Sequence, residues 1–232
     1  MSPELDLRVF SSLDDICHAA VDIFSGLVNK NGTNTFIVPG GSTPILFYQY
    51  LSKRLDSWED INLILSDERI VNENTPESNS GMIKNNFLNL INKRIQKPYF
   101  VPIMNGFVPG QSKEIINSLN SIYNTLMPPK AAFLGIGTDG HTASIFSGYN
   151  DSNHQPFILV NRPNDQYQRV SVSSKILSKI PLIVFLVAGK EKKNILQRII
   201  DNFDDINLLP VQHVIRNAQD RVIILCDRAA KL

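Results

Sequence analysis

The segment Leu134–Ser144, with the sequence LGIGTDGHTAS, concentrates the residue types that can do chemistry. It follows an apolar run, Ala131–Leu134, that is typical of a buried strand. Its three glycines allow a tight turn and a close approach of the backbone to a ligand. Asp139 and His141 lie inside this turn, and a histidine placed there can take up and return a proton near neutral pH. The sequence therefore predicts the active site in this loop.

A second glycine-rich loop, Val38–Pro44, joins a predicted strand to a predicted helix. Thr43 is expected to be the N-cap of that helix, with Pro44 at the first helical position. Backbone N–H groups, hydroxyls and the positive end of the helix dipole would together hold a phosphate, although an ordinary capped turn is the alternative. The residues that would form this cradle are Gly40, Gly41, Ser42 and Thr43.

Two more loops place charges at the carboxyl ends of apolar strands, the edge at which open α/β sheets bind ligands. In the first, Asp67 could hydrogen-bond sugar hydroxyls or orient a base, and Arg69 could pair with a phosphate or a carboxylate. In the second, Lys190 has a compact charge that suits a phosphate. A solvated strand end with a local ion pair, and a solvated lysine at a helix start, are the alternatives.

Composition narrows the class of protein. The chain has 232 residues, 43% of them hydrophobic, and a net charge of +1, so a large core is expected and a nucleic-acid partner is not. No apolar stretch approaches the roughly 20 residues of a membrane helix, and no signal peptide is evident. Cys17 and Cys226 have mainly apolar neighbours, as buried free thiols have in a reducing compartment. We expect a cytoplasmic protein, and the sequence does not predict its oligomeric state.

Strand-length apolar runs alternate with helical periods over most of the chain, which predicts a single α/β domain over residues 1–232 with a mostly parallel sheet flanked by helices. Within Phe157–Ser173 two runs are joined by a polar turn, so a small antiparallel insertion is expected there. The strand candidates are Thr35–Val38, Ile61–Ser66, Tyr99–Pro102, Ala131–Ile136, Phe157–Val160, Arg169–Ser173, Leu182–Ala188 and Arg221–Cys226. The helix candidates are Ser12–Asn29, Pro44–Leu55, Ser80–Ile91, Ser112–Leu126 and Lys190–Phe203.

Gly135–Gly140 matches the GxGxxG pattern of dinucleotide-binding loops, but its context does not fit. That pattern should open a full-length helix and be followed by an acidic residue about 20 positions later. Here a short turn follows, and the next strand ends at Asn161-Arg162, which leaves only an NADP-type variant open. No histidine pair has metal-ligand spacing, and no serine lies in a GxSxG elbow, so neither a metal nor a serine nucleophile is expected.

These loops, in this order, resemble the 6-phosphogluconolactonase family. That family has a modified Rossmann-like α/β fold with no bound nucleotide, similar to the fold of glucosamine-6-phosphate deaminase. The resemblance spans residues 40–210. The matching pieces are Gly40–Pro44, Asp67–Arg69 with Pro76–Asn79, Gly135–Ser144 with Gly148, Arg169, Gly189-Lys190 and Leu209-Pro210.

The resemblance implies hydrolysis of 6-phosphoglucono-1,5-lactone to 6-phosphogluconate, in the oxidative pentose phosphate pathway and without a cofactor. His141 would be the general base that activates water, with Asp139 fixing the loop or the imidazole. Asp67 and Arg69 would position the sugar ring and the lactone. The phosphate would be held by the Gly40–Thr43 loop with two cationic partners, Arg169 and Lys190.

Two other functions remain as alternatives. Glucosamine-6-phosphate deaminases share similar GSTP, DE and DGH motifs, but they carry a glutamate five residues after the histidine, which assists ring opening. Phe146 occupies that position here, and Arg69 stands where the deaminases usually have a tyrosine. A non-catalytic sugar-phosphate sensor on the same fold would be free to lose His141, which this chain retains.

Overall fold

A computed structural model describes residues 3–29, 31–101, 103–104, 106–148, 155–162, 165–201 and 208–231. Its strands are Glu4–Phe10 (β1), Asn34–Val38 (β2), Ile61–Leu65 (β3), Asp67–Arg69 (β4), Tyr99–Phe100 (β5), Ala131–Gly135 (β6), Phe157–Val160 (β7), Arg169–Val172 (β8), Leu182–Val187 (β9) and Arg221–Asp227 (β10). Its α-helices are Leu13–Leu27 (α1), Ile45–Leu51 (α2), Asn79–Ile83 (α3), Ser112–Thr125 (α4), Ser174–Ser178 (α5), Lys193–Asp201 (α6), Pro210–Arg216 (α7) and Arg228–Lys231 (α8). Within these ranges no helix has the length and apolar character needed to cross a membrane.

The main sheet has seven parallel strands in the described chain, in the order β1-β10-β9-β6-β2-β3-β5. From β2 the chain proceeds outward to β3 and β5, whereas from β6 it proceeds in the opposite direction to β9 and β10. The loops that leave β2 and β6 therefore diverge, and a crevice opens between them at the carboxyl edge of the sheet. The predicted mostly parallel sheet is confirmed.

The central strands are continuous apolar runs because both of their faces are covered. Every residue of β2 is buried, as are five of the six residues of β9. Helix α1 packs against β9, β10 and α2, and the aromatic ring of Phe24 lies against Phe36, Phe47 and Phe133. A parallel strand covered in this way has no solvent face for polar residues, which is why its sequence does not alternate.

The small second sheet contains β4, β8 and β7, paired antiparallel in that order. The predicted antiparallel insertion at Phe157–Ser173 is thus confirmed. Strand β4 was not predicted, because three charged residues give no strand signal; it pairs with β8 so that Arg69 lies opposite Arg169. The edge strand β1 was also not predicted, although its charged and apolar residues alternate with the period of two that is typical of a strand.

Two of the predicted helices differ from the structure in detail. Thr43 is not an N-cap: Pro44 takes that position, because Thr43 lies within a turn closed by the Ile45 N–H donating to the Ser42 carbonyl at 3.3 Å. The predicted helix Ser80–Ile91 is α3 followed by a π-helical turn over Lys84–Leu88. In that turn the Asn86 amide donates to the Met82 carbonyl, a side-chain bond that competes with the helical ladder.

The other predicted strands and helices are found, with some ends shifted. The strands differ by one or two residues at their ends; Pro102 and Phe203, which were placed at the ends of predicted elements, lie outside the described residues. Helix α2 ends at Leu51 rather than Leu55, and Lys190–Lys192 form a 3-10 turn before α6. Cys17 and Cys226 are buried free thiols, as expected, and burial raises the pKa of Cys17 to about 11.

One buried carboxylate fixes the small sheet to helix α3. Glu68 on β4 is fully buried and accepts hydrogen bonds from the backbone N–H groups of Asn79 (2.9 Å) and Ser80 (2.7 Å). The Ser78 hydroxyl and the Arg69 N–H also donate to it, at 3.2 and 2.8 Å. Burial raises the pKa of Glu68 in spite of these donors, because the charged form is poorly solvated there.

We expect Glu68→Ala to lower the free energy of unfolding by about 2–4 kcal/mol, because buried donors at the start of α3 would lose their acceptor. Equilibrium urea denaturation measures the change. Glu59→Ala removes an exposed carboxylate from a loop and serves as the control, with a change below about 0.5 kcal/mol. Equal stability of Glu68→Ala and the wild type would contradict the role assigned to Glu68.

Candidate functional site

A cleft of about 310 Å³ lies at the carboxyl edge of the main sheet. Its walls are the segments that follow β2, β3, β6 and β9, which are the four central strands. It therefore occupies the crevice where the strand order reverses, the usual ligand position in open α/β sheets. The described residues that line it are Pro39, Gly40, Gly41, Ser42, Thr43, Ser66, Asp67, Arg69, Asn79, Gly135, Ile136, Gly137, Thr138, His141, Ala143, Arg169 and Lys192.

The charges that line this cleft favour an anion. Arg69, Arg169 and Lys192 contribute positive charge, and Asp67 is the one acidic residue among the described lining residues. Arg69 and Arg169 are directly opposite each other on β4 and β8, an arrangement of like charges that costs energy without a counter-charge. Asp165 supplies part of this counter-charge, because its Oδ2 lies 2.8 Å from Arg169 Nη2. An anionic ligand would supply the rest.

Hydrogen bonds within the loop after β6 determine its shape. The Gly137 N–H donates to the His141 carbonyl at 2.8 Å, and the Thr142 hydroxyl donates to the Gly135 carbonyl at 2.9 Å. A Cβ atom on Gly137 would lie 2.1 Å from the imidazole carbon Cε1 of His141, so only glycine leaves room for this ring. The described residues from Gly135 to Gly148 contain no helix, which argues against the dinucleotide interpretation of the GxGxxG pattern.

His141 contacts Asp139 and Phe146, and Arg162 contacts both of these residues. Its Nδ1 is hydrogen-bonded to Asp139 Oδ1, and Arg162 Nη2 donates to the other oxygen of Asp139 at 3.0 Å. The Arg162 guanidinium carbon lies 4.5 Å from the centre of the Phe146 ring, and that ring lies 4.7 Å from the imidazole. An ionised carboxylate only accepts hydrogen bonds, so Nδ1 carries the proton and Nε2 of the neutral ring has the lone pair.

The charge state of Asp139 supports this arrangement. Burial on its own would raise the pKa of this carboxyl. The hydrogen bond from His141 and the nearby charge of Arg162 outweigh burial and keep the pKa below its usual value. Asp139 is therefore ionised at neutral pH, and the tautomer of His141 with the proton on Nδ1 is the favoured one.

Asp67 joins two loops of the cleft. Its Oδ2 accepts the Ser144 hydroxyl at 2.7 Å, and its Oδ1 accepts the Ser66 hydroxyl at 3.0 Å. The side chain is buried but lies at the wall of the cleft. It thus connects the end of β3 with the loop that carries His141.

The glycine turn after β2 is held by Asn79. The Gly41 N–H donates to Asn79 Oδ1 at 3.1 Å, and Asn79 Nδ2 donates to the Asp67 carbonyl at 2.9 Å. A Cβ atom on Gly40 would lie 2.1 Å from Asn79 Cγ, so this contact requires glycine. Below the turn, the buried Tyr48 hydroxyl donates to the Pro39 carbonyl.

Most of the residues that the sequence pointed to come together here. His141, Asp67, Arg69, Arg169 and all four residues of the Gly40–Thr43 turn line the cleft, and Asp139 contacts His141. Lys190 does not: it is exposed at the start of the 3-10 turn after β9 and is not among the lining residues. Lys192, at the end of the same turn, lines the cleft instead.

Three residues that line or support the cleft were not assigned these roles from the sequence. The sequence does not predict Lys192, because it is the 3-10 turn over Lys190–Lys192 that places this side chain at the cleft. Asn79 lies in the matching piece Pro76–Asn79 but was given no role, because its partners, Gly41 and Asp67, are distant in sequence. Arg162 was noted only for a 2′-phosphate, whereas its contact is with Asp139. In the part of the chain that the structure describes, no group of three His, Cys, Asp or Glu side chains could hold a metal ion.

The fold and the site together define an α/β protein with an anion-attracting cleft at the switch point of its parallel sheet. The family model for glucosamine-6-phosphate isomerases and 6-phosphogluconolactonases matches residues 11–224, and the chain belongs to this family.

Named relatives cover most of the chain. A 6-phosphogluconolactonase of Helicobacter pylori strain J99 is 28% identical over 82% of this chain and 84% of its own length. One from Caulobacter vibrioides is 28% identical over 95% of this chain and 97% of its own. In fold, the crystal structure of 6-phosphogluconolactonase from Leishmania guyanensis superposes with a TM-score of 0.84 at 21% identity, covering 99% of this chain and 98% of that one.

We expect Gly40→Ala to lower the free energy of unfolding by about 1–3 kcal/mol, because the new Cβ would displace the Asn79 amide and break both of its hydrogen bonds. Gly26→Ala is the matched control: it lies within α1 with nothing within 4 Å of an added Cβ, and should stabilise by about 0.5–1 kcal/mol. Urea denaturation of both variants compares them. A Gly40→Ala protein as stable as the wild type would refute the account of Asn79.

Proposed function

We propose that this protein hydrolyses 6-phospho-D-glucono-1,5-lactone to 6-phosphogluconate. The observation that carries the proposal is a histidine with its Nδ1 fixed by a carboxylate, in the same cleft as a glycine turn and three cationic side chains. Membership of the family and the names of the relatives support it. A cleft of about 310 Å³ is at the small end of the range for ligand sites, which suits a six-carbon sugar phosphate.

In the proposed reaction, His141 Nε2 takes a proton from water as the water oxygen bonds to C1 of the lactone. The carbonyl oxygen becomes an oxyanion in the tetrahedral intermediate. The bond between C1 and the ring oxygen then breaks, and the imidazolium returns its proton to that oxygen. Arg162 acts through Asp139, which holds the imidazole in the required tautomer, so Arg162 is a positioning residue.

The oxyanion and the sugar would be held by the wall between β3 and β4. Arg69 donates one hydrogen bond to the Glu77 carbonyl at 2.8 Å, while its Nε has no partner in the described residues. Its positive charge would stabilise the developing negative charge on the lactone oxygen. Asp67 is already engaged by two serine hydroxyls, so its main contribution is to fix the loop of His141, with a hydrogen bond to a sugar hydroxyl as a further contribution.

The phosphate would be held at the glycine turn of the cleft. The turn Gly40–Thr43 offers backbone N–H groups and two hydroxyls, and Lys192 and Arg169 offer positive charge. Binding the phosphate away from the reacting carbon orients the lactone and contributes to catalysis through positioning.

The deaminase alternative needs an ionisable group at the position of Phe146. The aromatic ring there packs against His141 and under Arg162, and it cannot transfer a proton in a ring-opening step. A lactone is an activated ester and needs no ring-opening acid of that kind. This feature favours the lactonase.

We expect His141→Ala to reduce lactonase kcat/KM by at least about a hundredfold, the usual contribution of a general base. Spectrophotometric or NMR assay of lactone opening, corrected for spontaneous hydrolysis, measures the rate. Binding of 6-phosphogluconate should persist, since the phosphate end is intact.

His18→Ala is the control for this experiment, because His18 is an exposed histidine on α1 that stacks on Tyr50 and lies outside the cleft. It should retain wild-type turnover. If His141→Ala hydrolysed the lactone as fast as the wild type, His141 would not be the base. Bound 6-phosphogluconate without turnover in the wild type would favour the sensor.

Lys192→Ala and Lys190→Ala form a matched pair two residues apart. We expect Lys192→Ala to raise KM for the phosphorylated lactone by about tenfold, since a charge-assisted bond to phosphate is lost. Unphosphorylated gluconolactone should be unaffected, and Lys190→Ala should behave as the wild type with both substrates. A larger effect from Lys190→Ala would contradict the placement of the phosphate.

A further inference from the structure

A second cavity, of about 500 Å³, shares no described lining residue with the cleft. It is formed by the end of the His141 loop, by α5 and by the start of α7. The described residues that line it are Ile145, Phe146, Ser147, Gly148, Ser174, Lys175, Ser178, Lys179, Leu208, Pro210, His213, Asn217 and Gln219. Neither the proposed reaction nor the sequence patterns account for this cavity.

Part of the lining of this cavity is cationic and rich in donors. Lys175 and Lys179 are four residues apart, so they lie on the same face at and just beyond α5. His213 faces the same space, and among the described lining residues there is no Asp or Glu. Within the described chain no carboxylate pairs with the exposed Lys179. Lys179 and its surroundings therefore attract an anion.

Other lining residues are apolar. Ile145, Leu208 and Pro210 contribute hydrocarbon surface, and Phe146 contributes an aromatic ring. A ligand that fills the cavity needs an anionic group for Lys179 and a flat or apolar body for these apolar residues. A phosphate monoester uses ammonium and hydroxyl donors such as Lys179 and Ser147 more fully than a carboxylate does, because it has more acceptor oxygens.

We propose that this cavity binds a phosphate monoester with a planar body, of the chemical class of a nucleoside monophosphate. The phosphate lies toward Lys179 and the planar body lies toward Phe146. The volume of about 500 Å³ is within the range of sites for ligands of that size.

The two cavities share one wall, because the Phe146 ring that lines the second cavity lies 4.7 Å from the His141 ring. A ligand that fixes Phe146 also restrains the imidazole, so occupation of this cavity is expected to change turnover. The binding claim itself does not depend on the proposed function, and it is tested by binding alone.

The test uses the full-length protein, isothermal titration calorimetry and three probes: AMP, adenosine and inorganic phosphate. AMP is expected to bind with one-to-one stoichiometry and more tightly than either of the other two. Lys179→Glu should weaken AMP binding by about tenfold or more. Lys113→Glu, which changes an exposed lysine on α4 outside the cavity, should bind AMP as the wild type does.

A second titration separates the two cavities. AMP should still bind one-to-one in the presence of saturating 6-phosphogluconate, because the two ligands would occupy different cavities. Its affinity should be unchanged in Lys192→Ala, since Lys192 lines only the cleft. No binding of AMP, equal binding of adenosine and AMP, or an unchanged affinity in Lys179→Glu would overturn the proposal. Displacement of AMP by 6-phosphogluconate would also overturn it, because AMP would then lie in the cleft.

Discussion

A chain of hydrogen bonds through Asn79 and Asp67 determines the shape of the cleft. The Asn79 amide accepts from Gly41 and donates to the Asp67 backbone, while the Asp67 carboxylate accepts from Ser144. Three loops that are far apart in sequence are thereby held at fixed distances. The chain is itself anchored by Glu68, whose buried carboxylate accepts the first N–H groups of α3. Because these groups are largely buried, each missing bond would leave a polar atom without a partner, which favours a single arrangement of the three loops.

The sequence predicts those parts of the fold whose residues all face the core. The apolar runs of β2 and β9 predict a parallel sheet because nothing else buries such runs on both faces. Strand β4 fails the same test, since its three residues are charged and its partner β8 is about a hundred residues away. The cleft, too, is predicted only in part. Glycines and charges at strand ends predict which loops form it, but not that a 3-10 turn brings Lys192, rather than Lys190, to its wall.

The charges explain how one cleft can both bind and react. Arg69 and Arg169 are opposed across a strand pair, and the resulting positive potential is strongest when no anion is bound. Asp139 is outside that group: it pairs with Arg162 and keeps the proton of His141 on Nδ1. The glycine turn and the basic nitrogen line the same cleft. We propose that this combination, more than any individual residue, selects a molecule with a phosphate at one end and a reactive carbonyl at the other.

A crystal structure with 6-phosphogluconate bound tests this claim most directly. We expect the phosphate at the Gly40–Thr43 turn and Lys192, with the C1 carboxylate within about 3 Å of His141 Nε2. The reverse orientation, with the phosphate at His141, would contradict it. So would a product molecule bound entirely outside this cleft.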